Sequence, residues 1–193
     1  MTYRVAVAVS GRGSNLQALV DGLTGSPAEV VLVLSDRDAP ALDWAATRGI
    51  ATHRLADWRD ADAWQDALAS ARVDLVVLAG YLKLVPSAVV AAYRGRMINI
   101  HPALLPRHGG EGMYGARVHA AVLAAGDAES GPTVHLVDEV YDRGAILAQA
   151  RVPVVPGDTP ATLAARVLAA EHRLLPAVVL AAARAGRPVP LDP

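Results

Sequence analysis

Neither cysteine nor phenylalanine occurs among the 193 residues. Without thiols there can be no disulfide, thiolate metal site or cysteine nucleophile, a usage that suits a reducing cytoplasm. An excess of either charge is also lacking. Lys plus Arg number 18 and Asp plus Glu 19, for a formal net charge of -1, which speaks against a general binder of nucleic acid or anionic membrane. Any anion site has to be local. Charged residues are scarce, at 19% against 53% hydrophobic, and a mean hydropathy of +0.29 excludes intrinsic disorder, because there is ample apolar surface to bury. Long apolar runs are missing too. The nearest, Leu174 to Ala183, is short and contains Pro176, so it reads as the end of a buried helix, and no membrane span is expected. The opening Met-Thr-Tyr-Arg leads straight into alternating apolar residues with no signal-peptide pattern, as expected of a cytoplasmic protein. The histidines, His53, His101, His108, His119, His135 and His172, have no ligand-type spacing, so no metal is expected.

What is present is a regular alternation of patterns. At roughly 150 residues per domain the length predicts a single domain over 1–193. Val5, Val7 and Val9 make a strand of Tyr3 to Val9, closed by Ser10-Gly11-Arg12-Gly13 and followed by helical spacing through Leu16, Leu19, Val20 and Leu23. Val30 to Leu34 is a second strand, Ala39 to Arg48 a helix, Ile50 to Leu55 extended chain and Trp64 to Ala71 a helix. Asp74 to Ala79 is continuously apolar, as a strand covered on both faces should be. A helix over Pro86 to Tyr93, a strand over Met97 to His101, a glycine-rich loop from Pro106 to Gly115 and a helix ending at Gly126 come next. Thr133 to Val137 and Ala145 to Val155 read as strands, and Thr159 to Ala185 as one helix interrupted near Pro176, or as two. The series predicts an α/β fold: a doubly wound, mostly parallel sheet with helices on both faces, its late strand pair antiparallel. Chemistry is expected just after Val9, Ala79, Ile100 and Val137, at the carboxyl ends of strands.

Three constellations could carry that chemistry. The turn Ser10 to Leu16 joins a strand to a helix, where free N–H groups and the helix dipole favour a phosphate; a plain tight turn with Ser14 as helix cap is the other reading. It matches neither the dinucleotide nor the nucleoside-triphosphate fingerprint. Asn99 and His101 alternate with Ile98 and Ile100, so both polar side chains share one face of a strand end. An amide donor beside an imidazole suits a reaction that forms an oxyanion; an edge-facing polar pair is the bland alternative. Asp138, Glu139 and Asp142 crowd the turn before Gly144. A carboxylate beside His101 would keep the imidazole charged, although alone the turn reads as a solvated acidic loop. His135, inside an apolar strand, reads as a hydrogen-bonded core residue.

Taken together, Ser10-Gly11-Arg12-Gly13-Ser14-Asn15-Leu16-Gln17, Leu78 to Lys83, Asn99-Ile100-His101-Pro102-Ala103-Leu104-Leu105-Pro106, Thr133 to Asp138, Asp142-Arg143-Gly144 and Glu171-His172 resemble the phosphoribosylglycinamide formyltransferases over nearly the whole chain. The resemblance implies the Rossmann-like formyltransferase fold. It also implies transfer of a formyl group from 10-formyltetrahydrofolate, a co-substrate, to the glycyl amine of glycinamide ribonucleotide in purine biosynthesis, without a metal. By position it makes Asn99, His101 and Asp142 the catalytic trio. Gly13, Ser14 and Asn15 would hold the ribonucleotide phosphate and Glu171 its ribose. The folate would lie on Leu82, Lys83, Leu84 and Val85, on Asn99, and on Asp138, Glu139, Val140, Tyr141 and Asp142. Lys83 stands where many members carry Arg, Leu168 replaces a polar residue of some members, and Arg59 is the nearest candidate for the folate tail. The Gly-rich loop is longer than in many members. The partners implied are the two substrates, with no nucleic acid and no membrane, in a monomer or homodimer. Formyltetrahydrofolate hydrolases share the trio and are the alternative; transfer-RNA-directed formyltransferases carry a further basic domain that these residues do not supply.

Overall fold

The computed structural model describes residues 2–191. In chain order the elements are β1 (Tyr3–Val9), α1 (Ser14–Gly22), β2 (Ala28–Ser35), α2 (Pro40–Thr47), β3 (Ala51–Arg54), α3 (Ala61–Ser70), β4 (Leu75–Leu78) and α4 (Ser87–Ala92). Then follow β5 (Met97–His101), α5 (Ala116–Ala124), β6 (Glu129–Ser130), β7 (Thr133–Leu136), β8 (Ile146–Gln149), β9 (Val152–Pro153) and α6 (Pro160–Ala185). Among the described residues seven strands form the main sheet in the order β3-β2-β1-β4-β5-β7-β8. The first five are parallel, and β7 and β8 are antiparallel to their neighbours. The expected α/β architecture, with helices on both faces, is thus the one observed.

Alternation along the strands sorts the core into two layers. Val5, Val7, Ile98 and Ile100 pack with Leu16 and Leu19 of α1 and with Leu175, Val178 and Val179 of α6. Ala6, Ala8, Val76 and Met97 face Trp64 and Leu68 of α3 and Val89 and Val90 of α4. Burying a side chain of this size stabilises by about 1.5–3 kcal/mol, so a register slip in either central strand would forfeit several such terms at once.

Three expectations change. The third helix begins at Ala61, not Trp64, because the Asp60 carboxylate caps it by accepting from the Ala63 N–H at 3.0 Å. The stretch Ala145 to Val155 is two strands, since β9 leaves the main sheet to pair with β6. The last helix is continuous through Pro176, which is buried in it; packing against α1 and the sheet outweighs the backbone hydrogen bond that proline forgoes.

The strand order reverses direction between β1 and β4, the place where such sheets open a crevice. There the loops after the two strands are tied together: the Ser10 N–H donates to the Gly80 carbonyl at 3.1 Å, and the Leu82 N–H to Ser10 Oγ at 3.0 Å.

Candidate active site

Strand β5 ends in Asn99-Ile100-His101, and β7 runs against it with Asn99 opposite His135 and Ile98 opposite Leu136. The carboxyl end of β7 therefore lies beside the start of β5, not at the edge where β5 stops, which corrects the expectation for residues directly after Val137. The turn that follows doubles back. Gly144 makes this possible by passing against β7, where a Cβ would lie 1.7 Å from the Leu136 carbonyl oxygen, a separation no side chain can occupy. As a result Asp142, itself in the left-handed region at φ 55, reaches the end of β5.

Asp142 is the hub of the site. One carboxylate oxygen lies 3.5 Å from His101 Nδ1 and accepts from the Gly110 N–H at 2.9 Å. The other lies 3.4 Å from both Asn99 Nδ2 and His135 Nε2. Its side chain is only 9% exposed, so it is no solvated acidic loop. Burial alone would raise its pKa. The nearby imidazoles of His135 and His101 and the Gly110 N–H together carry it below the ordinary carboxylate value.

His101 is 3% exposed. Its Nε2 is 2.8 Å from the His108 carbonyl oxygen; a carbonyl only accepts, so Nε2 carries the proton and Nδ1 faces Asp142. Burial pushes the imidazole below its usual pKa, more strongly than the Asp142 carboxylate raises it. Asp142 alone therefore does not set the charge of His101: burial opposes the carboxylate and shifts the balance toward the neutral ring. The neutral ring sets a lone pair against a carboxylate, and a proton arriving at Nδ1 relieves that contact.

His135 is buried and hydrogen-bonded, as expected of a core residue, and it also belongs to this cluster. Nδ1–H donates to the Leu136 carbonyl at 2.8 Å, which leaves Nε2 to accept from Asn99 Nδ2 at 3.1 Å. The ring therefore fixes the plane of the Asn99 amide and engages one of its hydrogens. The other hydrogen has only the long contact to Asp142. Alternation along Thr133 to Val137 put His135 on one face, but only the antiparallel register could have shown that the face was shared with Asn99.

At the other constellation Gly13 caps α1 in the left-handed region at φ 76, with no side chain capping the helix. Ser14 is the first helical residue, not the cap. A Cβ on Gly13 would approach Ala41 Cβ to 2.7 Å. Asn15 Nδ2 donates to Glu171 Oε2 at 2.6 Å across 156 positions of sequence. Glu171 is 7% exposed, and burial raises its pKa while the Asn15 hydrogen bond partly opposes this. Asn15 Oδ1 is buried without a partner.

Asn15, Leu82, Asn99, His101, Tyr141, Asp142 and Glu171 line one cleft of about 850 Å³, together with the Gly110–Arg117 loop and Leu168. Gly13 and Ser14 are outside its lining. A narrow slot of about 60 Å³ opens beside Asn99 and Asp142, walled by Lys83, Leu84, Val85, Asp138 and Val140. Glu139 turns away, pairing with Arg94 at 3.5 Å on the surface. Asp138 closes its own turn by accepting from the Val140 N–H. Arg59 stacks on Trp58 at 4.0 Å, and the Lys83 ammonium lies 5.7 Å from the same ring. Among the described residues no group of three or more acidic or imidazole side chains is arranged to hold a metal ion, and no helix is long and apolar enough to cross a membrane.

A buried carboxylate that bridges an amide and an imidazole, at the end of a strand in a doubly wound sheet, can stabilise an oxyanion and relay a proton. The formyl transferase family matches residues 3–179, and the chain belongs to that family. Within it, the chain is 43% identical over 190 residues to phosphoribosylglycinamide formyltransferase of Mycobacterium tuberculosis, covering 95% of this chain and 86% of that one. It is 44% identical over 186 residues to the chloroplastic phosphoribosylglycinamide formyltransferase of Arabidopsis thaliana, where the match covers 91% of this chain but 64% of the plant protein. For the cowpea (Vigna unguiculata) counterpart that share is 59%, so the chain spans about three fifths of these plant relatives. The crystal structure of the Brucella melitensis phosphoribosylglycinamide formyltransferase superposes with a TM-score of 0.84 at 43% identity over the whole of both chains. That of Anaplasma phagocytophilum gives 0.89 at 36%, covering 96% and 88%.

Proposed function

We propose that the chain transfers the formyl group of 10-formyltetrahydrofolate to the glycyl amine of glycinamide ribonucleotide. The observation that carries this reading is Asp142 within 3.5 Å of both His101 and Asn99, in a cleft that Asn15 and Glu171 also line. The phosphate would rest on the uncapped start of α1 at Gly13, Ser14 and Asn15, where backbone N–H groups need an acceptor. Glu171 and the orphaned Asn15 Oδ1 would take ribose hydroxyls, which supply the donor that a buried acceptor demands. The pterin would enter the slot between Leu82–Val85 and Asp138–Asp142, its exposed apolar lips parting to admit a flat ring.

In the reaction the amine lone pair attacks the formyl carbon and the carbonyl oxygen becomes an oxyanion. Asn99, oriented by His135, turns its free amide hydrogen from Asp142 to that oxygen. His101 Nδ1 takes a proton from the attacking nitrogen, and Asp142 stabilises the resulting cation. The bond from carbon to N10 then breaks, N10 receives the proton, and the products are the formylated ribonucleotide and tetrahydrofolate. Holding both substrates in attack geometry supplies the rest of the acceleration. This reading takes the chain as one domain, a monomer or homodimer in the reducing cytoplasm.

The test is to follow folate release from 10-formyltetrahydrofolate with and without glycinamide ribonucleotide. Release that requires the ribonucleotide is expected. Equal release in its absence would instead identify the formyltetrahydrofolate hydrolase reaction.

A further inference from the structure

The His108 side chain takes no part in the cleft, yet its backbone decides which nitrogen of His101 holds the proton. We infer that the His108–Asp127 pair is a positioning device that fixes the tautomer of His101, an inference that rests on His101 being the proton-transfer group proposed above. The His108 carbonyl reaches His101 Nε2 at 2.8 Å only because His108 sits in the left-handed region, at φ 55. For a residue with a Cβ that conformation costs about 1–2 kcal/mol, so something must hold it there.

The side chain supplies the hold. His108 Nε2–H donates to Asp127 Oδ2 at 2.7 Å, and the other oxygen of the same carboxylate takes Arg107. Asp127 is itself anchored: its side chain is buried, and it directly follows Gly126, whose φ of 68 ends α5. The pair faces a separate cavity of about 360 Å³, bounded by Leu104, Val122, Ser130 and Gln149 on the far side of the loop. Neither residue lines the substrate cleft. Their influence on the reaction therefore passes through one backbone oxygen. Freed of the anchor, His108 would relax to negative φ and withdraw that oxygen. Neutral His101 would then place its proton on Nδ1 toward Asp142, occupying the atom that must accept one.

The test uses the full chain with 15N-labelled histidine, at a pH where His101 is neutral. NMR nitrogen shifts report its tautomer without any turnover. In the unaltered protein the Nε2–H form is expected. His108→Gly keeps the carbonyl and tolerates φ 55 but lacks the anchor, and Asp127→Ala removes the acceptor. Each should give a mixture of tautomers and about a tenfold fall in kcat, with KM for both substrates within about twofold. His108→Gln, whose amide nitrogen reaches as far as Nε2, should restore both readouts. If Asp127→Ala does not fold, the two His108 variants decide. An unchanged tautomer in His108→Gly, or an altered tautomer with unchanged kcat, overturns the inference. If the unaltered protein shows no formyl transfer, the tautomer alone decides it, and the failure belongs to the proposed function.

Discussion

Replacing Asp142 by Asn isolates the charge of the hub. The substitution keeps the side-chain shape and an oxygen for the Gly110 N–H, and it removes the carboxylate 3.5 Å from His101 Nδ1. Two unit charges at that distance attract by about 5 kcal/mol at an effective dielectric of about 20. The cleft is open to water and the carboxylate pays its own desolvation, so the realised effect is the roughly 1–3 pK units typical of close ion pairs. Burial already holds the His101 pKa below its ordinary value, and Asp142 is the largest influence opposing it. Without the carboxylate the pKa drops further, and the charged imidazole at pH 7 becomes about 10- to 1000-fold rarer. Turnover should fall by a factor in that range, because the cation formed when His101 accepts the proton loses its counter-charge. KM for the ribonucleotide should change little, and lowering the pH should not restore activity, since a ring already protonated cannot accept the proton. Steady-state kinetics from pH 5 to 9, with the His101 ring proton titrated by NMR, measure both sides. A variant with kcat within threefold of the parent at pH 7, or an imidazole that titrates where it did before, would refute the reasoning.

Gly13→Val places a Cβ against Ala41 at a left-handed position. The conformational cost of about 1–2 kcal/mol should lower Tm by about 2–8 °C and raise the ribonucleotide KM; an unchanged KM would remove Gly13 from the phosphate site. Glu171→Gln should stabilise the protein near neutral pH, because the folded state penalises the buried carboxylate. It should also raise the ribonucleotide KM about tenfold through the loss of one ribose hydrogen bond, and calorimetry beside kinetics would show whether the two effects part. Acid should destabilise the fold from below about pH 6.5. Burial lowers the pKa values of His101, His119 and His172, so as the pH falls the unfolded chain binds protons first. Their stabilising contribution is complete above the unfolded pKa and lost as pH falls through the folded ones. Urea titrations at pH 7.5 and 5.5 giving equal free energies would contradict this.

Strand patterning made much of the sheet legible. Val5, Val7 and Val9 fixed the first strand, and the alternation at 97–101 put Ile98 and Ile100 in one core layer and Asn99 and His101 on the opposite face. What depended on one strand's position against another was hidden. Asp142 reads as a solvated loop residue until the turn is seen to fold back past Gly144, and His135 reads as a core residue until its register with Asn99 is known. The His108–Asp127 contact spans an irregular loop with no periodicity to announce it. The resemblance singled out Asn15 and Glu171, but nothing in local composition joins them. Helix α3 is a different case: Asp60 ahead of Ala61 carried a readable cap signal that the search for apolar spacing passed over.

The bond from Asn15 to Glu171 has a consequence for the order in which the molecule is made. The turn that carries Asn15 leaves the ribosome directly after β1, whereas Glu171 follows only after every strand of the sheet. A nascent chain halted before residue 171 could already bring Asn99, His101 and Asp142 together, yet the Asn15 amide would still lack the carboxylate that holds it.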